Sequence, residues 1–372
     1  MGDNITERRR MTRNRMYRLI YNSKNGISKQ QIAEDMGCSL PTVHQNIAEL
    51  LEADLIRQGE LQPSSGGRPA TGYVTNDEIG IAVGISVSAK HIRFTAVDIK
   101  LKVLGTLKLA VDFASMSKTG KIIASELEKF IDDNSLDRRR LLGVGITIPA
   151  VIDKVNDIIM ISPTLNVKNT NIRELVEKIP YPVYVDNDGT CAGAAEAFSG
   201  RRSDFAYLFM EYGIGGAIYM NGKKYAGLNN RSAEFGHICV HPGGLKCSCG
   251  KRGCLEAYCG ALRFTKELGV SVDEFFKELE NGDKDYEEIW NDVLSHLASG
   301  INIIRMIFDG PVILGGFVSE YIEPYLPKLR EMAAEKNTFE KDGNYILLGK
   351  YYKNGGMMGS ASHFIEKFID EI

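Results

Sequence analysis

Apolar positions over residues 8–75 follow first a helical and then a strand-like rhythm. Met11, Met16, Leu19 and Ile20 fall at roughly helical spacing and predict a first helix over 8–21. Asn25-Gly26 ends it with residue types that tolerate positive φ. Ser28 and Gln31 have capping-box spacing at the start of a short helix through Gln31-Ile32-Ala33-Glu34, which Gly37 closes. Ser39 caps the next helix, Pro41 sits in its first turn, and Val43, Ile47, Leu50 and Leu51 line its apolar stripe. Leu55-Ile56 and Tyr73-Val74 then read as two strands flanking Pro63-Ser64-Ser65-Gly66-Gly67-Arg68-Pro69. Residues 1–75 thus predict a winged helix-turn-helix, whose second short helix enters a major groove.

Beyond a linker at Asn76-Asp77-Glu78, the pattern becomes that of an α/β body. Strand-like runs cover 79–88, 91–99 and 103–113; 121–131 reads as a helix, 142–148 and 184–185 as strands, and 192–198 as a helix. A second set follows: strands at 206–210 and 216–220, a long helical zone over 262–308, strands at 312–314 and 345–348, and a closing helix over 360–369. The repetition implies two similar lobes with a cleft between them, 76–198 plus 355–372 and 199–354.

Composition narrows the class. With 372 residues, 44% hydrophobic and 25% charged, the chain has the make-up of a soluble globular protein. The longest apolar candidate, 141–152, is interrupted by Gly143, Gly145 and Pro149, far short of the ~18 unbroken apolar residues of a membrane helix. The polar start MGDNITERRR is unlike a secretory signal, so the expected location is the cytoplasm. The net charge of −3 hides an asymmetry, with +5 over residues 1–24 and +2 over 1–75. A basic front on an acidic body suits one end that meets a polyanion; a solvated, Arg-rich helix face is the other reading. On helix-turn-helix geometry Ser39, Thr42, Val43, Gln45 and Asn46 face the groove with hydroxyls, amides and a methyl-bearing side chain, and Arg68 at the wing tip reaches a minor groove.

Of seven cysteines, four lie between Cys247 and Cys259, which suits a metal site better than a disulfide framework. In GHICVHPGGLKCSCGKRGCLE (236–256), His237, Cys247, Cys249 and Cys254 match tetrahedral structural zinc. Gly250 and Gly253 allow a tight fold, and Lys246, Lys251 and Arg252 offset thiolate charge. His241 and Cys239 compete with His237 as ligands, and Cys259 could replace a thiol. Four protein ligands leave no open position, so the metal shapes a loop and performs no chemistry.

Here the chain resembles the ROK family of repressors and sugar kinases. Its cysteine signature is matched by Cys247-Ser248-Cys249-Gly250 and Gly253-Cys254-Leu255-Glu256, its Glu-x-x-His element by Glu234-Phe235-Gly236-His237, and its Asn-Asp element by Asn187-Asp188. The winged front ending in Gly67-Arg68-Pro69 is similar to that of the repressor branch. The resemblance implies a two-lobed, actin-like and RNase H-like sugar kinase fold, and it favours His237 as the zinc ligand. It also implies that Asn187, Asp188, Glu234, His237 and Glu256 hold sugar hydroxyls, with His237 binding zinc through one nitrogen and the sugar through the other. Asp188 matches the general base of the kinases; alternatively it caps its helix, and Glu234 or Glu256 only supports the loop.

The nucleotide half departs from the family. Family kinases place an Asp-x-Gly-Gly-Thr loop after the first strand, where this chain has Gly84-Ile85-Ser86-Val87-Ser88-Ala89-Lys90. A second phosphate loop survives only as Gly213-Ile214-Gly215-Gly216, preceded by Glu211, whose charge is expected to repel a triphosphate. On the sugar side Thr164 replaces a common Asn, and Ala150 stands where Gly is usual. The expectation is a non-enzymatic, sugar-responsive repressor, with Asp188 a vestigial base. Operator DNA, a monosaccharide effector and a second copy of the chain (homodimer or homotetramer) are its expected partners. A sugar kinase with a DNA-binding front is the alternative.

Overall fold

The computed structural model describes residues 2–62, 70–200, 202–228 and 231–372. Three helices, Gly2–Asn22, Lys29–Met36 and Leu40–Glu52, pack with a small antiparallel sheet in which Ala70–Thr75 lies between Ile27–Ser28 and Ile56–Gln62. The local signals act as the sequence predicts. Ser28 accepts the Gln31 amide, Ser39 accepts the Thr42 amide, and Gly37 closes the middle helix at φ 62°, where a Cβ would be strained. The capping box is half made, because the Gln31 side chain turns to Asp35. The expected wing tip 63–69, with Arg68, lies outside the described residues.

Two five-stranded sheets repeat one topology. In the first, Ile81–Val87, His91–Asp98 and Val103–Ala110 form an antiparallel meander, and Leu141–Ile148 then Val183–Asn187 extend it in parallel. In the second, Phe205–Met210, Ile214–Met220 and Lys223–Lys224 form the meander, and Val312–Gly315 then Ile346–Leu348 extend it in parallel. Parallel neighbours need long crossovers. Helix Met116–Asp133 supplies one, and the helices over 255–308 supply its counterpart.

Two expectations are corrected and further elements are added. The zone 262–308 is divided into Ala261–Leu268, Val272–Glu280 and Lys284–Phe308, because Gly269 and Gly282 adopt positive φ and Ser271 and Asp283 recap the chain. The small sheet of Val151–Asp153, Ile158–Ser162 and Val167–Asn171, and the helices Phe317–Ile322 and Leu326–Lys336, had no strong periodic signal. Residues 76–78 are no loose linker. Asn76 is 2% exposed and donates to the Asp54 carbonyl and carboxylate, each at 2.9 Å.

The helix Gly355–Glu371 ties the first lobe together by close backbone approach. A Cβ on Gly84 would lie 2.1 Å from the Met357 carbonyl oxygen, one on Gly145 2.2 Å from that of Ser360, and one on Gly359 1.5 Å from that of Cys191 in helix Asp188–Phe198. The far end of the same helix receives the N-terminal module. Arg13 donates twice to the Ile372 carbonyl, at 2.9 and 2.8 Å, Asn14 donates to Ile369, and Arg18 pairs with Asp370. Met16, Tyr17 and Ile20 share one core with Ala361, Phe364, Ile365 and Ile369. Part of the basic front therefore serves packing, with cations meeting helix-terminal carbonyls.

Gly359→Ala is expected to cost at least about 2 kcal/mol, since the methyl has nowhere to go and overpacking outweighs the ~1 kcal/mol of helix propensity gained. Urea unfolding measures it; an unchanged midpoint would refute this account of the packing.

Candidate functional site

The exposed face of helix Leu40–Glu52 is not quite the expected one. Ser39 and Gln45 are exposed and Thr42 half-buried, whereas Val43 is 0% and Asn46 9% exposed. Val43 belongs to the module's core and Asn46 donates to the Thr42 carbonyl at 2.8 Å, so neither can reach a base edge; both are corrected. The helical period that buries Val43, Ile47 and Leu50 instead exposes Pro41, His44, Gln45 and Ala48. His44, which sequence reasoning missed, sits 3.0 Å from Lys29 Nζ, adding polar groups to the face.

The metal loop assembles as expected. The ligand atoms of His237, Cys247, Cys249 and Cys254 all lie within 4.8 Å of one another. Cys249 and Cys254 sulfurs are 3.7 Å apart, and Cys247 Sγ is 3.8 Å from His237 Nδ1. Zn–S bonds of about 2.3 Å at tetrahedral angles give S···S edges of about 3.8 Å, so the donor set fits such an ion. Without a cation the Cys254 thiol resists ionisation, pushed up to about 12 by burial and then by contact with Cys249 and Cys247, while the Lys251 amide lowers Cys249. Gly250 and Gly253, at φ 87° and 86°, make the turns that bring the sulfurs together. The rival donors stand elsewhere. His241 stacks on Tyr258, Cys259 is buried against the Val293 carbonyl, and the Cys239 thiol lies by the Arg252 carbonyl. Cys254→Ser is expected to reduce bound metal at least tenfold and to lower the Tm, as read by elemental analysis and thermal unfolding. Full metal content in that variant would remove Cys254 from the ligand set.

The five expected sugar residues meet the hairpin of Phe205–Met210 and Ile214–Met220 from two directions. Asn187 caps helix Asp188–Phe198, its oxygen accepting the Thr190 amide at 3.1 Å and its nitrogen donating to the Ala150 carbonyl at 3.1 Å. This helix start lies beside Gly216, whose amide nitrogen would be 3.5 Å from a Cβ on Gly189. From the other direction Glu234 and His237 lie on or beside the turn Phe235–His237, whose Gly236 presses on Ile214. Nδ1 of His237 faces the sulfurs, leaving the second ring nitrogen on an exposed residue free for a ligand. Glu234 is exposed and its carboxylate has no partner among the described residues. Glu256 differs: its oxygens accept Ser248 Oγ at 2.6 Å and the Ile214 amide at 3.3 Å, which makes it a strut between loop and hairpin.

Asp188 is the most perturbed member of the set. Burial pushes its carboxyl from 3.8 up to about 6, against the favourable Gly189 amide. A raised carboxyl pKa means that folding opposes ionisation. The cost is absent below pH 3.8, grows between there and about 6, and is complete above. Asp188→Asn is thus expected to stabilise the fold by on the order of 1–3 kcal/mol at pH 7.5, with the advantage vanishing near pH 4. Thermal unfolding across pH checks this; a pH-independent difference would refute it.

The nucleotide side is closed by the chain's own groups. Ser88 Oγ accepts the His91 amide at 3.1 Å and donates to the His91 carbonyl at 3.0 Å, while the Ala89 carbonyl takes the Phe113 amide. The turn after the first strand is thereby tied to itself and to its neighbour. Glu211 accepts the Phe317 amide beside the Gly315-Gly316 turn, and it is pushed up to about 8 by burial and then by Asp188, with Arg93 opposing. A carboxyl titrating there is largely neutral at pH 7, so the expected charge repulsion is corrected. Glu211 instead occupies an amide. Arg93, aligned with Ser86 on the adjacent strand, is a further residue that sequence reasoning missed.

The ROK family pattern matches residues 82–367. A xylose repressor from Bacillus spizizenii is 26% identical over 355 residues, covering 92% of each chain. A solved ROK family transcriptional regulator, described as a homologue of the E. coli MLC protein, superposes with a TM-score of 0.77 at 21% identity, over 98% of this chain and 97% of its own. A ROK family glucokinase from Streptomyces griseus, solved with glucose and AMPPNP, gives a TM-score of 0.62 at 22% identity, over 76% of this chain and 99% of its own. With more than half its length matched, the chain belongs to the ROK family.

Proposed function

We propose that this protein is a sugar-responsive transcriptional repressor. Its N-terminal module binds operator DNA, and a monosaccharide held by Asn187, Asp188, Glu234 and His237 in the cleft weakens that binding. One observation carries the reading: helix Gly355–Glu371 touches both the sugar-side helix at Cys191 and the first helix of the DNA module at Arg13, Asn14 and Arg18. A shift of the sugar helix on lobe closure has a direct mechanical route to the DNA module. The repressor name of the similar Bacillus spizizenii protein supports the same reading. Zinc in the His237, Cys247, Cys249 and Cys254 cluster would hold His237 at the sugar, acting as a structural ion. Two copies of the chain would present two recognition helices to paired half-sites.

The kinase reading keeps one specific support, the Asp188 carboxyl poised near pH 6. Against it stand Ser86, Ser88 and Ala89, in place of the acid and glycines of the family kinases, and the buried Glu211 carboxyl beside the Gly315-Gly316 turn.

Operator binding by the full chain, followed across a panel of monosaccharides, decides between these readings. One sugar is expected to weaken DNA affinity at least tenfold, with no ATP consumed. Equal DNA affinity across the panel, or sugar-dependent ATP turnover abolished by Asp188→Asn, would reverse the assignment. His44→Ala or Gln45→Ala is expected to weaken operator binding at least fivefold with an unchanged Tm, at about 1 kcal/mol per lost base or phosphate contact.

A further inference from the structure

Behind the sugar-side helix lies a cavity of about 300 Å³ that the sugar role does not use. Its walls come from both lobes. Ala194, Ala197 and Phe198 of helix Asp188–Phe198 form an apolar side, and His363 and Glu366 of the closing helix form a polar one. The second lobe contributes the hairpin tip with Lys223 and Lys224. Asn221 and Gly222, at φ 53° and 71°, make the two-residue turn that points this tip over the cavity.

The charges are arranged unevenly. Lys154 is matched by Asp186 and Tyr184. Lys224 is in direct contact with no carboxylate among the described residues: its ammonium donates to Thr190 Oγ1 at 3.0 Å, two residues into the helix that begins at Asp188. Burial acts most strongly against that ammonium, the Asp186 carboxylate partly offsets it, and Lys154 adds to the cost, so an incoming anion would relieve the remainder. At the opposite wall Glu366, its pKa raised by burial and by Asp370 against Arg18, offers carboxyl oxygens that accept from a hydroxyl. His363 is held neutral by burial and Lys154, stacked 3.8 Å from the Tyr184 ring.

We propose that this cavity is a second ligand site, for a small hydroxylated organic anion. Its carboxylate or phosphate meets the Lys224 ammonium, its hydroxyls meet Glu366, and its carbon body lies on Ala194, Ala197 and Phe198. Such a ligand competes with Thr190 for Lys224, a contact that bridges the lobes behind the sugar residues. The Phe198 ring also lies 6.0 Å from Tyr21 of the DNA module's first helix, so occupancy is felt on the DNA side as well. The site stands independently of the repressor assignment, because direct binding reports it.

Calorimetry on the full chain tests it with gluconate for a carboxylate head, glycerol 3-phosphate for a phosphate head, and inorganic phosphate as the bare anion. At least one organic probe is expected to bind once per chain and more tightly than inorganic phosphate. Lys224→Gln should weaken that binding at least tenfold, Ala194→Phe should abolish it by filling the cavity, and Asp188→Asn should leave it unchanged. No binding by either organic probe, equal affinity in Lys224→Gln, or loss in Asp188→Asn would overturn the proposal. So would bare phosphate binding as tightly as the organic probes. Equal Tm values for Lys224→Gln, Ala194→Phe and the parent chain show that each loss of binding is local.

Discussion

The structure depends on one constraint, the backbone-to-backbone approach of helix Gly355–Glu371 to the first lobe. Three glycines make room for it, two on adjacent strands and one on the helix itself, and any side chain there would overlap a carbonyl oxygen. Interiors packed at crystal-like density transmit displacement instead of absorbing it. The helix thus couples three things that lie far apart in the sequence: the first sheet, the helix opening at Asp188, and the arginine-bearing helix of the DNA module. The basic front makes sense in this light. Arg13 and Arg18 secure the module to the body, while Arg8, Arg9, Arg10 and Arg15 remain exposed and available to a polyanion.

The two sides of the cleft have opposite chemistry. On the side of the expected sugar residues, ligand-binding capacity is left over: the Glu234 carboxylate has no partner among the described residues and one His237 nitrogen is unused by the sulfurs. On the nucleotide side, backbone groups are already satisfied. Ser88 closes the turn after the first strand on itself, and Glu211 takes the Phe317 amide. A buried donor with a resident acceptor gains little from a new one, since binding must first break what is made. Here hydrogen-bonding groups are occupied within the chain, and Ser88 and Ala89 stand where the family kinases have glycines.

The cysteine loop links these sides. Glu256 ties it to the Ile214 amide of the hairpin and to Ser248 within the loop, and a Cβ on Gly213 would come 2.8 Å from the same carboxylate. A metal ion in the cluster would fix the orientation of His237 and, through Glu256, the position of the hairpin against which Asp188 sits.

Local chemistry was legible without the fold. Ser28, Gly37 and Ser39 act within their own turns, and Gly250 and Gly253 shape a short loop, so spacing placed the caps and grouped the cysteines, while the family resemblance favoured His237 over His241 and Cys239. The family signature and the paired α/β pattern belong to the same class of information. Tertiary packing decided the rest. It buried Val43 and Asn46 and exposed His44, because which stripe of a helix is covered depends on its neighbours. It turned residues 76–78 from a linker into a packed joint and made Glu256 a strut. It also raised Glu211 until charge repulsion no longer described it, since desolvation and the nearness of Asp188 arise only when distant segments meet. Short-range hydrogen bonds and turn preferences are written residue by residue, whereas burial and electrostatic environment belong to the assembled chain.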